Sequence, residues 1–323
     1  MSADAQAAGL PAPQADAGGV IHNIGYRRYD AQRLGRPQIV RALTWYSFRS
    51  AFGIGRGAKA KIFPVLLFAL MCLPAAVNAV ALATGPSGGS IVSYDDYVPQ
   101  LRIIATLIFL AIEAPNLVSS DLRTHSLPLY FSRPISRADY PIAKLTAFVL
   151  ACLALIEIPL LLLYIGSVAQ AHGPHAVWAQ TAKLGPGLLY GAAWAALLAP
   201  IGLLLASTTG KRVFAICAVG IPLFFTFVLA NALMHIGSQA YGPVGVGQPP
   251  ALASLAGLIS PFTLLGGVLH WLRAAPTPGA PVEGARLVTT IGHFGPVYGI
   301  FFLVLLAAAV LGLMMRYRKV GVS

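Results

Sequence analysis

Long apolar runs alternate with short polar stretches along this chain. A helix needs about 20 apolar residues to cross the hydrocarbon core of a bilayer. Six runs meet that length, at residues 62–83, 101–119, 145–169, 186–207, 213–236 and 296–315. A further apolar stretch, 250–274, is broken by Pro261 and the adjacent Gly266 and Gly267. As a seventh span it would carry the basic C-terminus across the membrane. It is therefore expected to be an external helical segment that dips into the membrane and returns, which is tolerated only where protein or a cavity covers the backbone. Ahead of the first run, "RPQIVRALTWYSFRSAF" has Ile39, Leu43 and Tyr46 on one side of a helix and Trp45, Phe48 and Phe52 on another. Arg41 and Arg49 flank the second set, the pattern of a helix lying at headgroup depth. "GIGRGAKAK" then breaks that helix before the first span.

Composition supports this reading. The 323 residues are 57% hydrophobic and only 10% charged, where a soluble chain carries about 25% charged residues. Mean hydropathy is +0.74. The expected fold is an all-α polytopic membrane protein with six transmembrane helices and an N-terminal interfacial helix. Cys72, Cys152 and Cys217 each fall in an apolar run and read as small hydrophobes, without metal-ligand or disulfide spacing. Residues 1–19 have neither a basic start nor an apolar core, and read as a disordered tail rather than a signal peptide. Residues 20–61 then form a cytoplasmic segment and 62–323 the membrane domain.

The net charge of +12 would suggest nucleic acid in a soluble protein. Here the cations cluster beside the spans, and no nucleic-acid partner is expected. With the N-terminus placed in the cytoplasm, every Lys and Arg of the 22 falls inside except Arg102, Lys183, Arg273 and Arg286. Both termini are then cytoplasmic.

Several short motifs suggest chemistry and lose it on inspection. "GIGRG" has no preceding strand and reads as a hinge, and "STTGKR" lacks the rest of a P-loop. "GPSGG" contains Gly-x-Ser-Gly but no histidine lies centrally in a span to serve as its base. His172 and His175 bracket Gly173 and Pro174, which leave no helix to align them on a metal, so no metal site is expected. The two carboxylates inside spans, Glu113 and Glu157, are costly there and by default functional. They line a transport path or bind a proton, or they pair with Asn78, Asn116 or Asn231 across helices.

The loop "SSDLRTHSLPLYFSRPISRADYPIAKL", residues 119–145, is richer than a connector requires. Asp121 is placed to cap a helix opening "LRTHSL", which Pro128 then limits. Pro134 turns Arg133 away from helix. Ser136 and Asp139 have capping-box spacing ahead of the third span. Leu122, Leu127, Leu129, Tyr130, Phe131 and Tyr140 among Arg123, Arg133 and Arg137 give the aromatic-plus-arginine mixture of a protein interface.

These features together resemble the permease subunits of bacterial type 2 ATP-binding cassette exporters. The most specific part is Ser-Arg-Pro-x-Ser-Arg-x-x-Tyr-x-x-x-Lys at residues 132–144, joined by "ISPFTLLGGVLHWL" and the closing "RYRKV". The resemblance implies a second permease subunit, identical or different, and two copies of a cytoplasmic ABC ATPase. ATP and Mg would be bound by that ATPase, and this chain would hold no cofactor and catalyse nothing by itself. It implies a coupling helix at residues 121–131, a connecting helix at 41–52, and residence in the bacterial cytoplasmic membrane. The alternatives are a proton-coupled secondary transporter using Glu113 or Glu157, and a membrane anchor for a cytoplasmic partner.

Overall fold

A computed structural model describes residues 35–84, 99–124, 130, 135–171, 173–239, 251–273 and 294–320. The elements among them are all helical. In chain order they are α1 (Arg36–Ala51), α2 (Ala58–Thr84), α3 (Pro99–Arg123), α4 (Asp139–Ala169), α5 (Pro174–Ala206), α6 (Arg212–Gln239), α7 (Ala251–Ala256), α8 (Pro261–Arg273) and α9 (Gly295–Val320). Six of them, α2 to α6 and α9, are long and apolar enough to cross a membrane. All six expected spans are present.

The helices outrun the apolar runs at several ends. α4 begins at Asp139 and α5 at Pro174, residue types that suit the first turn of a helix. Pro64, Pro74, Pro115, Pro159, Pro186, Pro200 and Pro222 all lie inside these helices. Neighbouring helices and local adjustment satisfy the freed carbonyls in such bundles.

Small residues let the helices approach. α5 buries Gly187, Gly191, Ala195, Ala199 and Gly202, a small-residue stripe of the kind that packs spans where no hydrophobic drive acts between them. A Cβ on Gly202 would meet the Leu110 side chain of α3 at 2.7 Å. α3 is the most enclosed span, whereas α2, α6 and α9 turn rows such as Ile62, Leu66 and Leu73 outward. Those rows suit lipid.

α1 packs along α4 and α3. Its buried face is Leu43, Ser47, Ser50 and Ala51, lying between the two apolar sides expected from the sequence. Trp45 and Tyr46 point away, at 60% and 66% exposure. Serine has little hydropathy, so a face built on Ser47 and Ser50 is invisible to an apolar count. Phe48 and Phe52 still reach the core, in a chain of rings from Trp45 through Phe48, Phe52 and Phe109 to Phe148 with centroids 5.5–6.0 Å apart.

The α1–α2 link is a hinge. Gly53 and Gly55 have φ of +69° and +91°, which L side chains rarely adopt. A Cβ on Gly53 would collide with the Ala60 carbonyl.

Within 250–274, residues 251–273 form two short helices, neither long enough to cross, broken at 257–260. Ser260 and Pro261 open α8, with Ser260 Oγ accepting from the Phe262 N–H at 3.3 Å. The pair wraps the buried Tyr298 of α9, whose hydroxyl donates to the Ser254 carbonyl at 2.6 Å. A Cβ on Gly257 would overlap the Tyr298 hydroxyl and one on Gly267 the Tyr298 ring, whereas Gly266 meets nothing. Of the two adjacent glycines, Gly267 is the one the packing requires.

Candidate functional site

Polar residues gather at the two ends of α3. From Arg102 to Asp121 the helix rises about 28 Å at 1.5 Å per residue, close to a hydrocarbon thickness.

At the C-terminal end, Asp121 does not start a new helix. α3 runs through it to Arg123, and its carboxylate is engaged by α4 instead. Tyr140 donates to Asp121 Oδ2 at 2.7 Å, and Lys144 Nζ lies 2.9 Å from the same oxygen. Tyr140 and Lys144 are four positions apart, so one face of α4 presents both. The expectation of Asp121 as a helix cap is thus corrected: an ion pair between helices takes the acceptor that a cap would use. Lys144 is 6% exposed and Asp121 17%, so the pair is largely desolvated. The Tyr130 ring lies 5.5 Å from the Tyr140 ring, and the Tyr317 ring of α9 lies 5.2 Å from it.

A second fork ties down α1. Arg36 Nε and Nη2 donate to Asp139 Oδ2 and Oδ1 at 2.6 and 2.7 Å, and Nη2 also donates to Ser136 Oγ at 2.9 Å. Two parallel bonds of this kind fix geometry as well as charge. The neighbouring carboxylate raises the Arg36 guanidinium above its ordinary pKa. Asp139 also accepts from the Ser136 N–H at 2.7 Å. That is one half of the expected capping box. The Ser136 hydroxyl faces Arg36, so it supplies no side-chain cap to α4. At the same end Arg316 of α9 donates to the carbonyls of Ser207 and Thr208 at 3.2 and 3.4 Å, where α5 runs out of helical partners.

The opposite end is built on Arg102, expected outside the membrane but buried at 8% exposure. Its guanidinium stacks over Tyr190 at 4.6 Å and Trp194 at 5.0 Å, both on α5. Trp194 then meets Phe262 of α8 at 5.5 Å, and Phe262 meets Phe227 of α6 at 5.8 Å. The short-helix pair is therefore seated on α5, α6 and α9 at this end.

The two intramembrane carboxylates do not share a lining. Glu113 is buried and accepts from Asn116 Nδ2 at 3.0 Å, a bond within α3 rather than across helices. It lies within electrostatic reach of Arg56 and Arg212, whereas Glu157 lies within reach of Arg102. Both Glu157 oxygens are buried without a hydrogen-bond partner among the described residues. Gly191 faces them so closely that a Cβ there would overlap Oε1. Asn78 is fully buried on α2. Asn231 is exposed and donates to the Phe227 carbonyl of its own helix, so it joins neither carboxylate.

Of the loop residues expected to act together, Asp121, Tyr130 and Tyr140 meet in one network, and Leu122 packs on the core. Arg123 and Arg137 are exposed, as are Arg41 and Arg49 of α1. Leu127, Leu129, Phe131 and Arg133 lie outside the described residues, as do the 1–19 tail, "GPSGG" and His172. Lys144 closes the motif at residues 132–144, but nothing local shows that it pairs with Asp121. Arg36 and Tyr317 are network members that the sequence did not single out, because their partners are remote in the chain.

These features define a polytopic α-helical membrane protein with a charged network at one end and a cation–aromatic cluster at the other. The sequence matches no protein-family model, and a search of curated proteins finds no match either.

Proposed function

We propose that this chain is the permease subunit of an ATP-driven ABC exporter, moving its substrate outward by alternating access while a separate cytoplasmic ATPase binds ATP and Mg. The observation that carries the reading is the paired lock at one end of the bundle. Arg36–Asp139 joins α1 to α4, and Asp121–Lys144 joins α3 to α4. The segment between α3 and α4 is the loop read as the ATPase-coupling element. A push on that loop would therefore move α1, α3 and α4 as one lever. Differential contact in two states is the only way a bound partner can shift a conformational equilibrium. In this reading the locked end faces the cytoplasm, the short helices α7 and α8 re-enter the membrane from outside, and two permease subunits pair around the path.

Affinity purification of the full chain in mild detergent tests this. A Walker-motif ATPase should co-purify, and Arg137→Glu, at an exposed position beside the lock, should release it. Loss of ATPase association across several detergents would overturn the reading.

A second reading has its own observation. The unbonded buried carboxylate of Glu157 suits a proton-coupled transporter. It predicts proton flux in ATP-free proteoliposomes, read by an internal pH dye and abolished by Glu157→Gln.

A further inference from the structure

Beside the locked end lies a cavity of about 180 Å³ lined by Arg56, Arg123 and Arg212, with Asn116, Ser120 and Gly210 among its other walls. We propose that it binds a phosphate group, of the kind carried by an anionic phospholipid headgroup. Three separate elements supply the arginines. Arg56 stands in the glycine hinge between α1 and α2, Arg123 ends α3, and Arg212 opens α6.

The charge balance of this cavity is one-sided. No acidic side chain lines it. Glu113 lies within electrostatic reach of Arg56 and Arg212 but outside the lining, and one carboxylate against three guanidiniums leaves the balance positive. The hydroxyls of the wall are committed: Ser120 donates to the Asn116 carbonyl at 2.8 Å, and Ser119 to the Ala206 carbonyl at 2.8 Å. The guanidiniums are different. Among the described residues none of the three joins an ion pair or a side-chain hydrogen bond. Their planar forks match phosphate oxygens.

Position and size agree with this ligand. Gathering three like charges costs energy that an anion offsets. Arg212 begins a helix of 28 residues, so the positive end of its dipole adds to the same wall. At about 30 Å³ per water in the liquid, the space matches about six waters, enough for the few heavy atoms of a phosphate group. Basic pockets at the ends of spans are where phospholipid headgroups settle. The assignment does not depend on the exporter reading, since it requires no ATPase.

Native mass spectrometry and thermal unfolding of the full chain in mild detergent test it, with phosphatidylglycerol, phosphatidylcholine and inorganic phosphate as probes. Phosphatidylglycerol should bind and raise Tm, with at least tenfold weaker binding after Arg123→Gln with Arg212→Gln. All three arginines are exposed, so these changes spare the core; Arg123→Lys with Arg212→Lys, which keeps the charge, should lose less. Protection by inorganic phosphate without phosphatidylglycerol would assign the same site to a soluble anion. No protection by either probe would overturn the proposal. So would binding in the double glutamine variant within twofold of the unchanged chain, or phosphatidylcholine binding equally well.

Discussion

Lys144 and Asp121 meet across the α3–α4 boundary at 2.9 Å, nearly out of reach of solvent. Breaking a buried pair by removing one partner leaves an uncompensated charge and costs about 3–5 kcal/mol. Lys144→Met should therefore destabilise the bundle by about that much. Lys144→Met with Asp121→Asn should recover part of the loss, because neither charge is then stranded. A double-mutant cycle by unfolding in mixed micelles measures the coupling, and a strictly additive cycle would refute it.

The Arg36–Asp139 fork is more exposed on the arginine side, at 57% against 11% for the aspartate. Its net contribution to global stability should be small, because solvent screens the open arginine side. Its effect on α1 should be larger. Asp139→Asn is expected to speed hydrogen exchange in α1 at least fivefold relative to α5. Arg36→Lys should speed it as well, because an ammonium cannot make both parallel bonds.

Gly267→Leu places a side chain where the Tyr298 ring sits. Overpacking of this kind costs about 1–3 kcal/mol. Gly266→Ala, into open space, should cost little by comparison. Thermal unfolding of the two variants side by side makes the contrast. Equal losses would mean that the glycines serve backbone conformation rather than room for Tyr298.

Gly191→Ala should push on the Glu157 carboxylate and lower Tm. Glu157→Ala removes the atoms it would strike. The double variant should be clearly more stable than the sum of the single effects predicts. Additivity would separate the glycine from the carboxylate.

The sequence made the spans legible because hydrocarbon imposes length and apolarity residue by residue, and 62–83 or 145–169 announce themselves. It also marked the break ahead of α8, since Pro261 is a local signal, whereas Gly266 and Gly267, expected to interrupt the stretch, lie inside α8. The interior of the site was less legible. Asp121 has the residue type and spacing of a cap, and nothing nearby reveals that Tyr140 and Lys144 claim its oxygen. Arg36 finds Asp139 at a separation of 103 positions, beyond any pattern of local periodicity. Arg102 looked like an ordinary external cation, because the rings that cover it belong to α5. The buried face of α1 was misjudged for the opposite reason: Ser47 and Ser50 pack by being small, a property hydropathy does not record.

One helix joins the two polar ends. α3 carries Arg102 near its start and Asp121 near its finish, with Pro115 inside it and much closer to the second. A proline removes one backbone bond and weakens the rod locally. Torque applied at the locked end would thus meet a compliant joint before it met the stiff shaft leading to Arg102. Where that shaft yields decides whether a movement at one face arrives at the other as a rotation or is absorbed as a bend.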